Sequence, residues 1–304
     1  MQFVKAAYNS FLSKIAKDSP KKSKWQIREP EDRTDPVEHE KFVQTRLGDK
    51  KQLIAASVRG KSHEHHGNWR DDAFCFDCAG IFTIIAASDG AGSCALSRIG
   101  AKIVSHVSVL SAKDYINRHL PGPMSHISEQ TIFSLKECLK NSVTASTASV
   151  NQEAEKRQTD TGSFSATLIL LLHAFTGTEH LIASIQVGDG AAAIYSSAKE
   201  VTMLGKANYG EYAGESVFIT SPKISETLGD RVNILRTKDV KYIAMMTDGI
   251  TDDYFPLLKG LKHFFDQMET AVLNSKNPLN ALKKWIRYEK IGSYDDRTLL
   301  ILYF

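Results

Sequence analysis

Six aspartates stand at the ends of apolar, strand-like runs in this chain, and their placement suggests chemistry. Asp72 precedes Ala73-Phe74, and Asp89 follows Thr83–Ser88 and leads into Gly90-Ala91-Gly92. Asp189 follows Ile185–Gly188, and Asp248 follows Ile243–Thr247 and precedes Gly249. Asp295 and Asp296 come just before the last apolar run, Thr298–Phe304. Carboxylates at strand ends can converge on one edge of a sheet without being buried unpaired, and hard cations such as Mg²⁺ and Mn²⁺ take oxygen ligands of this kind. A glycine directly after the ligand lets the backbone turn sharply and present its carbonyl. A single Asp-Gly is an ordinary turn dipeptide. The repeated context of apolar strand, Asp, Gly and polar continuation is what points to a divalent-metal site.

Two other clusters invite chemical readings. His63, His65 and His66 lie close together, but no fourth ligand stands at a zinc spacing. They read as a polar loop with one functional histidine. Cys75-Phe76-Asp77-Cys78 has the C-x-x-C form, yet residues three apart on a strand point to opposite faces, which argues against a redox pair. Four cysteines in 304 residues form no disulfide framework, so a reducing compartment is expected.

The elements that must position these residues follow from pattern. With 42% hydrophobic and 24% charged residues, the chain can bury a sizeable core. A net charge of +3 gives no argument for nucleic-acid binding. No apolar run approaches the roughly 18 residues of a membrane span, and no continuous apolar segment marks a signal peptide, so a cytoplasmic location is expected. Residues 1–50 read as an N-terminal extension. Phe3, Val4, Ala7, Phe11, Leu12 and Ile15 recur at helical spacing among lysines, and residues 29–40 form an acidic linker. The helix packs on the main domain, or docks a partner or an anionic membrane surface. From residue 51 onward the pattern gives a strand over Leu53–Val58, a hairpin over Ala73–Ser88, and helices over Ser93–His119 and Glu129–Arg157. Strands follow over Ser165–His173 and Leu181–Tyr195. The glycines of 204–231 suggest a surface flap. Strands at Val232–Arg236 and Tyr242–Thr247, two helices and a final strand complete the chain. Strand blocks and helix pairs are segregated, which predicts an α+β architecture of two packed sheets with helices outside.

The ordered segments RGKSHEHHGNWRDDAF, ASDGAGS, GSFSATLILLL, IQVGDGAAAIY, MMTDGITDD and YDDRTLLIL resemble the metal-dependent protein phosphatase (PP2C or PPM) family over about residues 53–304. GEYAGESVFITS is similar to a segment of a divergent bacterial branch. The resemblance implies a four-layer αββα sandwich, two antiparallel sheets flanked by helix pairs, with two divalent cations, Mn²⁺ or Mg²⁺, at one end. It implies that Asp89 bridges the metals, that the Gly90 carbonyl is a ligand, and that Asp72, Asp248 and Asp295 supply the other carboxylates. Asp71 takes the place of the acidic or polar neighbour of the metal-facing Asp. Asp160 matches a third-metal ligand, and Asp189 a structural aspartate. The implied activity is that of a protein serine/threonine phosphatase on phosphoprotein substrates, opposing a kinase. The alternatives are a phosphoprotein-binding pseudophosphatase and a small phosphate-ester hydrolase. The family's phosphate-binding arginine has no clear counterpart, leaving Arg59 and Arg70 as candidates. No histidine follows Asp89-Gly90, which makes His63 the candidate general acid.

Overall fold

Strands that are apolar at nearly every position need cover on both faces, and two stacked sheets with helices outside provide it. The computed structural model describes residues 25–48, 51–122, 124, 126–206, 216–222, 224–254 and 256–304. One sheet holds β1 (Glu40–Leu47), β2 (Lys51–Val58), β7 (Ala191–Tyr195), β8 (Val201–Met203), β10 (Tyr242–Met246) and β11 (Arg297–Tyr303), in the order β1-β2-β11-β10-β7-β8. The other holds β3 (Ala73–Ala79), β4 (Phe82–Ser88), β5 (Leu168–Phe175), β6 (His180–Val187) and β9 (Val232–Thr237), in the order β3-β4-β5-β6-β9. All of these pairings are antiparallel.

Period-two alternation sorts each strand between two layers of core. Leu53 and Ala55 of β2, Ile85 and Ala87 of β4, and Leu300 and Leu302 of β11 meet between the sheets. Their neighbours Ile54, Ala56, Leu299 and Ile301 face the helices on one side, while Phe82, Ile84 and Ala86 face those on the other. Helix α1 is the short Lys61–His66, and α2 (Ser97–His119) and α3 (Glu129–Arg157) cover the β3–β9 sheet. Helix α4 is the turn Asp248–Thr251. Then α5 (Leu257–Gln267), with a π-helical continuation to Leu273, and α6 (Pro278–Trp285) cover the other sheet. The expected αββα sandwich is therefore the observed one. Helix α3 runs unbroken, and Ser128 caps its start by accepting from the Thr131 N–H.

Several boundaries differ from expectation, each for a physical reason. The run Leu181–Tyr195 is two strands, because Gly188, at φ 109°, turns the chain from one sheet into the other. Residues 61–66 are helical, with Gly67 in the left-handed conformation as the C-terminal stop. The Cys75/Cys78 pair splits as anticipated: Cys75 packs toward the helices and Cys78 between the sheets.

The boundary at residue 50 is corrected. β1 pairs with β2 along its whole length, from Glu40↔Val58 to Leu47↔Lys51. The stretch before it is no free acidic linker. Arg59 donates to the Arg28 carbonyl at 2.7 Å, Trp69 to the Asp32 carbonyl at 2.8 Å and Arg98 to the Thr34 carbonyl at 3.0 Å. Arg157 pairs with Asp35 at 2.6 Å. The sequence pattern missed this because charged side chains hid a strand and a strap held through backbone carbonyls. The basic amphipathic helix expected before Pro20 lies outside the described residues.

A chain beginning at Lys51 loses β1 and the strap. It should be less stable by about 3 kcal/mol or more, roughly 10 °C in melting temperature for a domain of this size. Thermal unfolding checks this, and an unchanged melting temperature would return these residues to a dispensable extension.

Candidate metal centre and active cleft

The register of the sheets carries the aspartates to one end of the sandwich. Ala73 pairs with Ser88, Leu168 with Val187, Met246 with both Ala191 and Leu299, and Arg297 with Val58. The start of β3 and the end of β4 therefore share an edge with the end of β6, the end of β10 and the start of β11. Asp72, Asp89, Asp189, Asp248, Asp295 and Asp296 all sit in the turns there.

The turns are locked by close backbone approach. A Cβ on Gly249 would lie 1.9 Å from the Asp296 carbonyl oxygen, and one on Gly90 would lie 2.9 Å from the Asp71 oxygen. Both glycines are therefore required by proximity rather than by a left-handed φ, a correction to the turn argument made from sequence. Asp89 is fixed from both sides of its peptide: its N–H donates to the Thr167 hydroxyl at 2.9 Å and its carbonyl accepts from the Thr167 N–H at 2.8 Å.

The site is rich in oxygen and short of hydrogen-bond donors. Carboxylate oxygens of Asp89, Asp189 and Asp248 come within 4.8 Å of one another. Asp72 is 3% exposed and accepts from the Thr247 hydroxyl at 2.9 Å through one oxygen. Its other oxygen, and one oxygen each of Asp189 and Asp248, are buried with no hydrogen-bond partner among the described residues. Burial, then the neighbouring carboxylates, push Asp89 and Asp248 well above the ordinary carboxylate range. Burial and Asp296 lift Asp72 to about 7, and Asp295 is raised by the same two causes. Such a donor set suits hard divalent cations, which satisfy the orphaned oxygens and offset the repulsion.

Asp296 acts differently from Asp295. It is 1% exposed, and it accepts from the backbone N–H groups of Gly60 at 2.6 Å and Asp71 at 2.5 Å. It also pairs with His63 Nδ1 at 3.0 Å. The other imidazole nitrogen, Nε2, lies 3.9 Å from Asp71 and beside Gly92 of the turn after Asp89. Burial works against charge on His63, but Asp296, and then Asp71 and Asp295, outweigh it and lift its pKa to about 9. An imidazolium thus stands next to the carboxylates at neutral pH. Sequence reasoning noted Asp296 but not its role, since adjacent aspartates carry no signal of which one turns inward.

His63, Gly92, Asp248, Asp252, Lys290 and Asp295 line a cleft of about 660 Å³. Lys290 was not foreseen. It stands in no motif, yet it is the sole lysine or arginine among the described residues lining this cleft. The arginine candidates do not reach it. Arg59 is buried and donates to the carbonyls of Arg28 and His63, at 2.7 and 2.9 Å. It therefore positions the His63 turn, and the catalytic role expected of it is corrected. Arg70 is also buried and donates to the Ser57 carbonyl at 3.0 Å. Asp160 caps the turn over Thr161–Phe164 by accepting from the Gly162 N–H. Among the described residues it joins no three-ligand group, whereas Asp189, expected to be structural, does. His65 accepts from the Gln26 N–H and His66 contacts the Ser62 carbonyl, so the three histidines diverge.

Comparison with known proteins agrees with this fold. The chain matches the protein phosphatase 2C family over residues 59–287, more than half its length, and belongs to that family. No curated protein sequence matches it. Among solved structures it is similar to a phosphatase from Toxoplasma gondii, at 9% identity and TM-score 0.57, covering 87% of this chain and 95% of that one. It is similar to the Mycobacterium tuberculosis serine/threonine phosphatase PstP/Ppp, at 11% identity and TM-score 0.53, covering 84% and 99%. A structure of the PstP catalytic domain with two manganese ions gives 13% identity and TM-score 0.50, covering 84% and 98%. At these identities the likeness is one of fold.

The raised groups predict a pH dependence for the metal-free protein. Between the ordinary value of 3.8 and about 7, folded Asp72 holds a proton that the unfolded chain has released. Between 6.5 and about 9, His63 does the same. In both windows the folded state binds more protons, so stability falls as pH rises. The melting temperature of metal-free protein should drop from pH 5 to pH 8, and saturating Mn²⁺ should remove most of that drop. A flat or rising metal-free profile would contradict the arrangement.

Proposed function

We propose that this chain is a protein serine/threonine phosphatase that hydrolyses phosphoserine and phosphothreonine in phosphoprotein substrates, opposing a kinase. The observation that carries the reading is the gathering of strand-end carboxylates: Asp89 meets Asp189 and Asp248, Asp72 and Asp248 each keep a buried oxygen unpartnered among the described residues, and Asp248 and Asp295 line one cleft with the His63 imidazolium. Asp72, Asp89, Asp248, Asp295 and the Gly90 carbonyl would hold two divalent cations, Mn²⁺ or Mg²⁺, with Asp189 as a further ligand. Cations bound there supply Lewis acidity, which acidifies a water and offsets charge on the phosphoryl oxygens.

The chain's own groups do the rest. The turns at Gly90 and Gly249 fix the carboxylates, so little reorganisation accompanies reaction. Water oxygen bonds to phosphorus, giving one proton to solvent from which His63 is later reprotonated, as the bond from phosphorus to the serine or threonine oxygen breaks. His63 Nε2–H then protonates the departing alkoxide, giving inorganic phosphate and the free hydroxyl. Asp296 positions the ring through Nδ1. Lys290, at the cleft wall, meets the phosphate in the place of the missing arginine. The Ser216 hydroxyl donates to Asp189, and the Ile219 N–H to the Ala166 carbonyl at 3.0 Å. These contacts support a role in substrate choice for the flap at 204–231. The N-terminal residues 1–24 would dock a partner, and the cytoplasm is the compartment this reading fits.

A pseudophosphatase reading draws on one observation, that no arginine is among the described residues lining the cleft. Phosphate release from phosphoserine and phosphothreonine peptides with Mn²⁺ separates the readings. Asp248→Asn should abolish turnover with the fold intact, and His63→Gln should slow it by about 10²-fold. Peptide binding without release would favour the pseudophosphatase, and release from small esters alone would favour an esterase.

A further inference from the structure

Arg70, excluded from the catalytic cleft, lines a second cavity. This one, of about 220 Å³, opens between the strap before β1, the start of β3 and helix α2. Lys41 enters from β1, and Arg98, Lys102 and His106 enter from α2. Their spacing of four residues puts those three on one ridge of the helix. Four permanent cations thus face two carboxylates, Glu38 and Asp72. Arg98 is already paired, with Asp32 at 3.4 Å. Among the described residues, Lys41 contacts the Phe74 carbonyl at 3.3 Å and the Phe74 ring.

Arg70 supplies a second, independent observation. It is 6% exposed, donates through one guanidinium nitrogen to the Ser57 carbonyl, and its buried Nε–H has no hydrogen-bond partner among the described residues. A buried donor is costly to leave unmatched. The cations also burden one another. After burial and Cys75, Arg70 figures among the groups acting on Lys41, opposing its charge as Lys102 does, and burial, then Lys41 and Lys102, holds His106 down.

We propose that this cavity is a binding site for a small tetrahedral oxyanion of the phosphate class, held by Arg70, Lys41 and Lys102. Guanidinium and ammonium groups converging in a concave, partly dry site match such a ligand in charge and in donor geometry. The volume fits an oxyanion with its first waters and is below that of typical drug-sized pockets. Asp72 belongs to both the wall of this cavity and the carboxylate cluster, so occupancy here bears on the catalytic end from behind. Binding at this site does not depend on phosphate-ester hydrolysis.

The test is calorimetric titration of the full-length chain with inorganic phosphate, without added divalent metal so that no cation in the cleft holds the anion. Wild type should bind at one saturable site. Lys41→Gln combined with Lys102→Gln should weaken binding at least tenfold, and Asp248→Asn should leave it unchanged. Lys102 is an exposed helix position, so Lys102→Gln alone keeps the fold and should weaken binding several-fold. No saturable binding in wild type overturns the site. So does unchanged affinity in the folded lysine variants, or a loss confined to Asp248→Asn.

Discussion

Mutual repulsion among carboxylates at one end of the sandwich is the constraint on which the rest of this structure depends. Two like charges about 4 Å apart repel by about 4 kcal/mol at an effective dielectric near 20, and here at least four aspartates gather with little water. The fold accepts that cost at a functional site, as proteins do where local rules are broken. Protons relieve the repulsion only below the raised pKa values of these groups, about 7 for Asp72. Divalent cations relieve it at any pH where the ligands ionise, so the same geometry that destabilises the metal-free end selects for metal.

The surroundings are arranged to keep the carboxylates in place. Thr247 and Thr167 hold Asp72 and Asp89 through hydroxyls, and glycines at 90 and 249 let neighbouring turns approach too closely for any side chain. Asp296 gathers the Gly60 and Asp71 N–H groups and His63. It links both turns and the imidazolium to the start of β11. Arg59 completes this frame by binding the His63 carbonyl from behind. The candidate acid is thus ion-paired to the carboxylate that ties the turns at Gly60 and Asp71 to the start of β11.

Much of this was legible in the sequence because the signals were local. Apolar runs ending in Asp, with glycine next, gave the strand ends, and segregated strands and helices gave two packed sheets with helices outside. What was not legible depended on contacts across the chain. Asp295 and Asp296 are adjacent and chemically identical, and only the positions of Gly60 and His63 tell them apart. Arg59 and Arg70 both carried the right group for phosphate, but burial against the Arg28 and Ser57 carbonyls removes both from the cleft. β1 was hidden because Glu40, Lys41, Gln44 and Arg46 leave a weak alternation, and the strand is defined by its partner β2 rather than by its own pattern.

The most direct test of the metal-centred account is anomalous scattering from crystals of the protein grown with Mn²⁺. The account predicts two manganese peaks at the end of the sandwich, both within coordination distance of Asp89, with Asp72, Asp248 and Asp295 completing the set. Absence of manganese there, or a single ion held by His63 with Asp295 and Asp296, would contradict it.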